Sequence, residues 1–80
     1  MNFQSTAEIE GIRQVYHKGV RVKLLRMNDS YYVEEGTLGT VQMVDDAGTI
    51  HVKWDNGRRL GVVLEAGDMV EVISSEYLVV

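Results

Sequence analysis

Two histidines, His17 and His51, and two adjacent carboxylates, Asp45 and Asp46, are the first places to look for chemistry in this 80-residue chain. A hydrolase or transferase needs a nucleophile, a base and an orienting group gathered in one concave site. His17 falls near a helix end and His51 on an outward strand position, so both read as solvated surface groups. Asp45 and Asp46 belong to a tight turn, where aspartates bond their own backbone rather than act as acid and base. The alternating oxygen ligands and distal glutamate of an EF-hand are missing. The glycines are read as turn residues between strands, not as a strand–glycine–helix phosphate loop. The chain is therefore expected to be no enzyme and to hold neither cofactor nor metal.

Residues suited to binding are better represented. Tyr31 and Tyr32 are adjacent in a polar loop with Glu34 and Glu35. Two neighbouring tyrosines are hard to bury together, and tyrosine is enriched at interfaces. Trp54 shares the inward parity of its strand, which makes it a core aromatic or a rim residue that touches a ligand. A second set, Arg21, Lys23, His51, Lys53 and Arg59, has outward parity and would form a basic stripe, while acids collect in the helix, loops and turns.

The elements that must position these groups follow from periodicity. Ser5 and Glu8 have the spacing of a capping box, so a helix begins near Thr6. Ile9, Ile12 and Tyr16 lie on one stripe of it, and Gly19 marks its end, giving a helical region over 5–18. After Gly19 the period becomes two: Val20, Val22 and Leu24 point inward in strand one. Asn28 to Thr37 reads as the longest loop. Strand two covers Leu38 to Val44 with Val41 and Met43 inward. The turn Asp45 to Gly48 leads to strand three, where Ile50, Val52 and Trp54 point inward. Asp55-Asn56-Gly57 has the composition of a type I′ hairpin. Leu60, Val62 and Leu64 face inward in strand four, and a glycine turn over Glu65 to Asp68 precedes strand five with Val70, Val72 and an outward Glu71. The expected architecture is mainly β, a small α+β domain: a five-stranded antiparallel SH3-like barrel over 19–73, preceded by the short amphipathic helix, with an OB-type barrel as the competing topology. Residues 1–80 make one domain, with 74–80 as a tail.

Composition bounds the rest. So short a chain buries a thin core and leaves little room for a deep, dry site. With no cysteine, neither disulfide nor thiolate metal site contributes to stability, which suits a reducing cytoplasm. The apolar runs are short and the first residues lack a secretion pattern, so neither export nor membrane insertion is expected. A net charge of −4 opposes indiscriminate binding to nucleic acid, although a local basic face is compatible with it.

The strings YHKGVRVKLLRMND, EGTLGTV and GTIHVKWDNG resemble a small bacterial family, the domain of unknown function designated forty-three-fourteen. The likeness runs from the helix through strand five. The last string is also similar to SH3-like modules of the mind-bomb ligases, which speaks for the fold more than for one activity. The resemblance implies an origin in a phage or another mobile element. Where family members carry a proline-rich loop after strand one, this chain has SYYVEEG, from Ser30 to Gly36.

Together these readings predict a cytoplasmic, non-enzymatic binding module, monomeric or homodimeric. Its partner would be a host or phage protein, contacted through Tyr31, Tyr32, Glu34, Glu35 and Trp54; inhibition of a host defence is one form this could take. The alternative is a nucleic-acid or nucleotide binder using Arg21, Lys23, His51, Lys53 and Arg59. A third reading has Tyr77 to Val80 pairing edge to edge in a homodimer.

Overall fold

A computed structural model describes residues 5–28 and 33–74. The chain opens with helix α1, Thr6–Val15, and the capping box is present: the Ser5 amide donates to Glu8 Oε1 and the Glu8 amide to Ser5 Oγ, each at 3.1 Å. Ile9 is buried, and Ile12 and Tyr16 pack against the core as their spacing predicts. The helix stops at Tyr16, and Gly19 closes the following turn at φ 93°.

Five strands follow: β1 Arg21–Arg26, β2 Leu38–Val44, β3 Ile50–Trp54, β4 Arg59–Val62 and β5 Met69–Ser74, with a short 3-10 turn at Leu64–Ala66 before β5. They form one antiparallel sheet in the order β4-β3-β2-β1-β5. The domain is thus small, α+β and mainly β. Among the described residues no ladder joins β4 to β5, so both are edges.

Strict alternation in β3 places Ile50, Val52 and Trp54 inside, with Val20, Val22, Leu24, Val41 and Val62 completing the same core. Val33, in the loop read as polar, is fully buried and belongs to that core as well.

Met43 departs from its expected inward position and is 52% exposed. The register shows why: Val41 pairs with Val52 and Met43 with His51, so Gln42 is an extra residue, a β-bulge that turns Met43 outward and gives the next inward place to Val44. Similar slips leave Leu25 extra in β1 and Ile73 extra in β5. Val72, read as inward, is 42% exposed, and Leu64, read as the end of strand four, lies instead in the 3-10 turn, half-buried against the core.

The two hairpins share one geometry. Asp45 N–H donates to Thr49 O and Gly48 N–H to Asp45 O; Trp54 N–H donates to Arg58 O and Gly57 N–H to Trp54 O. Only the glycine of each loop has positive φ, 86° for Gly48 and 90° for Gly57. The Asp55-Asn56-Gly57 turn is therefore not type I′, which needs two such residues, but a three-residue loop ending in a glycine bulge. Gly39 and Gly61, in contrast to the turn reading, lie inside strands.

The helix is tied to this sheet by Arg13. Its guanidinium donates to Val44 O at 3.2 Å and reaches Glu10 and Asp46 at 2.8 and 2.9 Å. Among the described residues no helix is long and apolar enough to cross a membrane.

Candidate functional face

The outward side of the sheet carries the charged residues that alternation assigned to it. Cross-strand partners form a transverse row: Arg59 on β4, Lys53 on β3, Thr40 on β2, Arg21 on β1 and Ser74 on β5. None of Arg21, Lys23, His51, Lys53 and Arg59 is buried.

These five residues are not equivalent. Arg21 makes a two-pronged contact with Asp55, Nη1 to Oδ1 at 2.8 Å and Nη2 to Oδ2 at 2.7 Å, and Nη1 also donates to Thr40 Oγ1. That hydrogen bonding holds the Asp55 carboxyl below its ordinary range and raises the Arg21 guanidinium above its own. His51 Nε2 donates to Asp45 Oδ2 at 2.8 Å. Asp45 Oδ1 meanwhile accepts from the amides of Ala47 and Thr49, at 2.9 and 3.0 Å, which fixes the β2–β3 loop. Asp45 therefore both fixes the turn and holds the His51 ring. His17 lies just past the helix, its Nδ1 near Lys18 O at 3.4 Å.

Lys53 and Arg59, both exposed, make no ion pair among the described residues. Lys23 sits between Leu38 and Glu71 in register, also without an ion pair there. Lys53 and Arg59 are thus adjacent exposed cations at the β3–β4 end, whereas Asp55 compensates Arg21 on β1.

A shallow cavity of about 260 Å³ opens at Arg59, lined by Gln42, Met43, His51, Val52, Arg59, Leu60 and Gly61. The bulge supplies one wall by turning Met43 outward. Gly61 supplies the floor: it pairs with His51, and a side chain there would start 2.6 Å from Thr49 Cγ2. Met43 and Gln42 also border a second depression, toward Tyr16, His17 and Lys18. Of the residues lining the first cavity, sequence reasoning named only His51 and Arg59 as site residues and missed Gln42, Met43 and Gly61, while it gave Val52 and Leu60 to the core. The signal for Gly61 was available, since a glycine inside a strand often marks close approach.

Trp54, expected among partner-contacting residues, is 1% exposed and has no surface to offer; its indole N–H donates to Leu60 O at 3.0 Å inside the domain. Glu34 and Glu35 are exposed, next to Gly36, whose amide donates to Leu24 O. Tyr31, Tyr32 and the Tyr77–Val80 tail lie outside the described residues. Among the described residues no group of three histidine or acidic side chains is placed to hold a metal ion.

Fold and face together define a small, mainly β domain with an open antiparallel sheet and a basic, grooved end. Residues 5–73 match the family model described as Domain of unknown function (DUF4314), and the chain belongs to that family. No curated protein and no solved structure matches it.

Proposed function

We propose that this is a non-enzymatic binding module, working in the cytoplasm for a phage or other mobile element, that docks a protein partner on the outward β3–β4 face. Its sheet, curled by the three bulges, is in this reading an SH3-like half-open barrel with α1 over one end. The observation that carries the proposal is a cross-strand pair of exposed cations, Lys53 and Arg59, that make no ion pair among the described residues, next to a cavity lined by Arg59 and an exposed methionine, Met43. Arginine and methionine are enriched in interface cores, whereas a merely solvated face would need no groove. Inhibition of a host factor is one outcome of such docking. Tyr31 and Tyr32 extend the candidate surface only through the sequence argument.

Affinity enrichment from host extract tests this with the wild-type chain beside a Lys53→Glu, Arg59→Glu variant whose fold is verified by circular dichroism. A partner retained by the first and lost by the second supports the reading. Equal enrichment by both removes the β3–β4 face from it.

Nucleic-acid or nucleotide binding is the second reading, favoured by the same two cations. It is the weaker one because Asp55 and Asp45 engage Arg21 and His51, and Trp54 is buried where no base can stack. Titration with single-stranded oligonucleotides and nucleotides over a range of salt decides it. Steeply salt-dependent binding would revive this reading.

A further inference from the structure

The open edge of β4 adds something the face alone does not. Trp54 N–H donates to Arg58 O at 2.8 Å, which makes residues 54 and 58 a hydrogen-bonded pair at the hairpin end. Pairs alternate along an antiparallel ladder. Val52–Leu60 and Ile50–Val62 are then hydrogen-bonded pairs, while Lys53–Arg59 and His51–Gly61 are the non-bonded ones. On β4, the backbone groups of Arg59 and Gly61 therefore point away from β3, off the edge of the sheet. No described backbone group outside the ladder bonds to either residue.

We propose that an extended acidic segment of the partner pairs with this edge as a sixth strand. This rests on the protein-binding reading and narrows it to strand addition, in which main-chain hydrogen bonds give affinity and alternate side chains give specificity. The acidic character follows from charge. A segment beside β4 sets one side-chain row next to Arg59, with Lys53 one strand further in and the cavity against the same row. Carboxylates at alternate positions complement both cations. A second copy pairing edge to edge through β4 would instead set Arg59 against Arg59 or its close neighbours, and like charges across a strand pair repel. The arginine that discourages self-pairing is the one that selects an acidic strand. The apolar part of the cavity, Met43 and Leu60, takes an aliphatic group carried between the acids.

The test uses the full chain, labelled with ¹⁵N, and a blocked octapeptide of alternating glutamate and valine, beside its lysine–valine counterpart. With the acidic peptide, the amides of Arg59 and Gly61 should shift and gain protection from hydrogen exchange of at least about tenfold, the signature of a new backbone hydrogen bond. The lysine peptide should do neither. Arg59→Gln removes the charge and leaves the edge donor, so it should weaken binding several-fold and flatten its salt dependence. Arg59→Pro removes the donor as well, at an edge position where the ladder does not need it, and should abolish binding. If Arg59→Pro does not fold, protection at Gly61 in the wild type and in Arg59→Gln decides the question.

Absence of binding, or binding without protection at residues 59 and 61, would overturn the strand addition. So would self-association of the unliganded chain that Arg59→Pro abolishes, since the edge would then belong to a second copy. These failures are separable from failure of the docking face. A partner lost by Lys53→Glu, Arg59→Glu but retained by Arg59→Pro keeps the face and removes the sixth strand.

Discussion

Gly39 and Trp54 are cross-strand partners, and the indole fills the space that a side chain at position 39 would need. A Cβ there would lie 2.7 Å from Trp54 Cε3 and 2.5 Å from Val52 Cγ1, closer than carbon atoms approach. Gly39→Ala should therefore push Trp54 off its hydrogen bond to Leu60 O and destabilise the fold by about 1–3 kcal/mol through overpacking. Urea unfolding followed by tryptophan fluorescence measures this. An unchanged midpoint would mean that Trp54 is not packed on Gly39.

Asp68 is buried at 7% exposure and receives two backbone amides, Asn28 to Oδ1 and Val63 to Oδ2, both at 3.0 Å. Asn28 is further tied to Ala66 O by its side-chain amide. This carboxylate joins the end of β1 to the 3-10 turn before β5, across forty positions of sequence. Asp68→Ala strands both amides, at about 1–3 kcal/mol for each buried donor left unmet. Asp68→Asn keeps one acceptor oxygen and should recover part of the loss. Thermal unfolding of the two variants should rank them in that order, and the reverse order would contradict the arrangement.

Asp45 makes stability depend on acid. Its carboxyl is held below the ordinary value of 3.8, first by the hydrogen bond from His51 and further by the amides of Thr49 and Ala47, against a desolvation that acts the other way. A carboxylate depressed in the folded state adds stability in full above its unfolded value, and loses it as the pH falls through the folded one. The melting temperature of the wild type should thus fall more steeply than that of Asp45→Asn below about pH 4. Asp55, held down by Arg21, leaves the variant some residual slope. Parallel curves down to the acid limit would show that Asp45 gains nothing from its partners.

Much of this architecture is legible in the residues because local signals and tertiary structure agree. Ser5 and Glu8 announce the helix start, β3 alternates without fault, and the limits of β2 fall where the turn residues put them. Parity also set the cations on the outward side. What parity does not contain is register. A bulge is a relation between two strands, so nothing in Val41-Gln42-Met43-Val44 shows that two residues oppose His51. Pairing within the stripe was equally hidden: Asp55 reaches Arg21 across thirty-four positions of sequence, and Asp45 bonds His51 only because the hairpin folds the turn back beside its own strand. Val33 entered the core from a loop of polar composition because a single valine carries no period.

The bulge at Gln42 offers the most direct separation of fold from face. Removing Gln42 leaves Val41, Met43 and Val44 in succession, and regular alternation then gives inward, outward, inward, which are the faces these three residues already occupy. The core loses no side chain and the β2–β3 register on both sides is kept, so the shortened chain should fold with a melting temperature near that of the wild type. The cavity should not survive. A bulge raises local twist and aims its second residue outward, and without it Met43 stands straight opposite His51 while the wall formed by Gln42 is gone. The expected outcome is a native-like amide spectrum with changes confined to residues near 40–44 and 50–52, together with weakened binding of the acidic peptide. Unfolding of the shortened chain would show that the bulge is needed for sheet curvature and not only for the groove, and unchanged binding would show that the ligand does not use the groove.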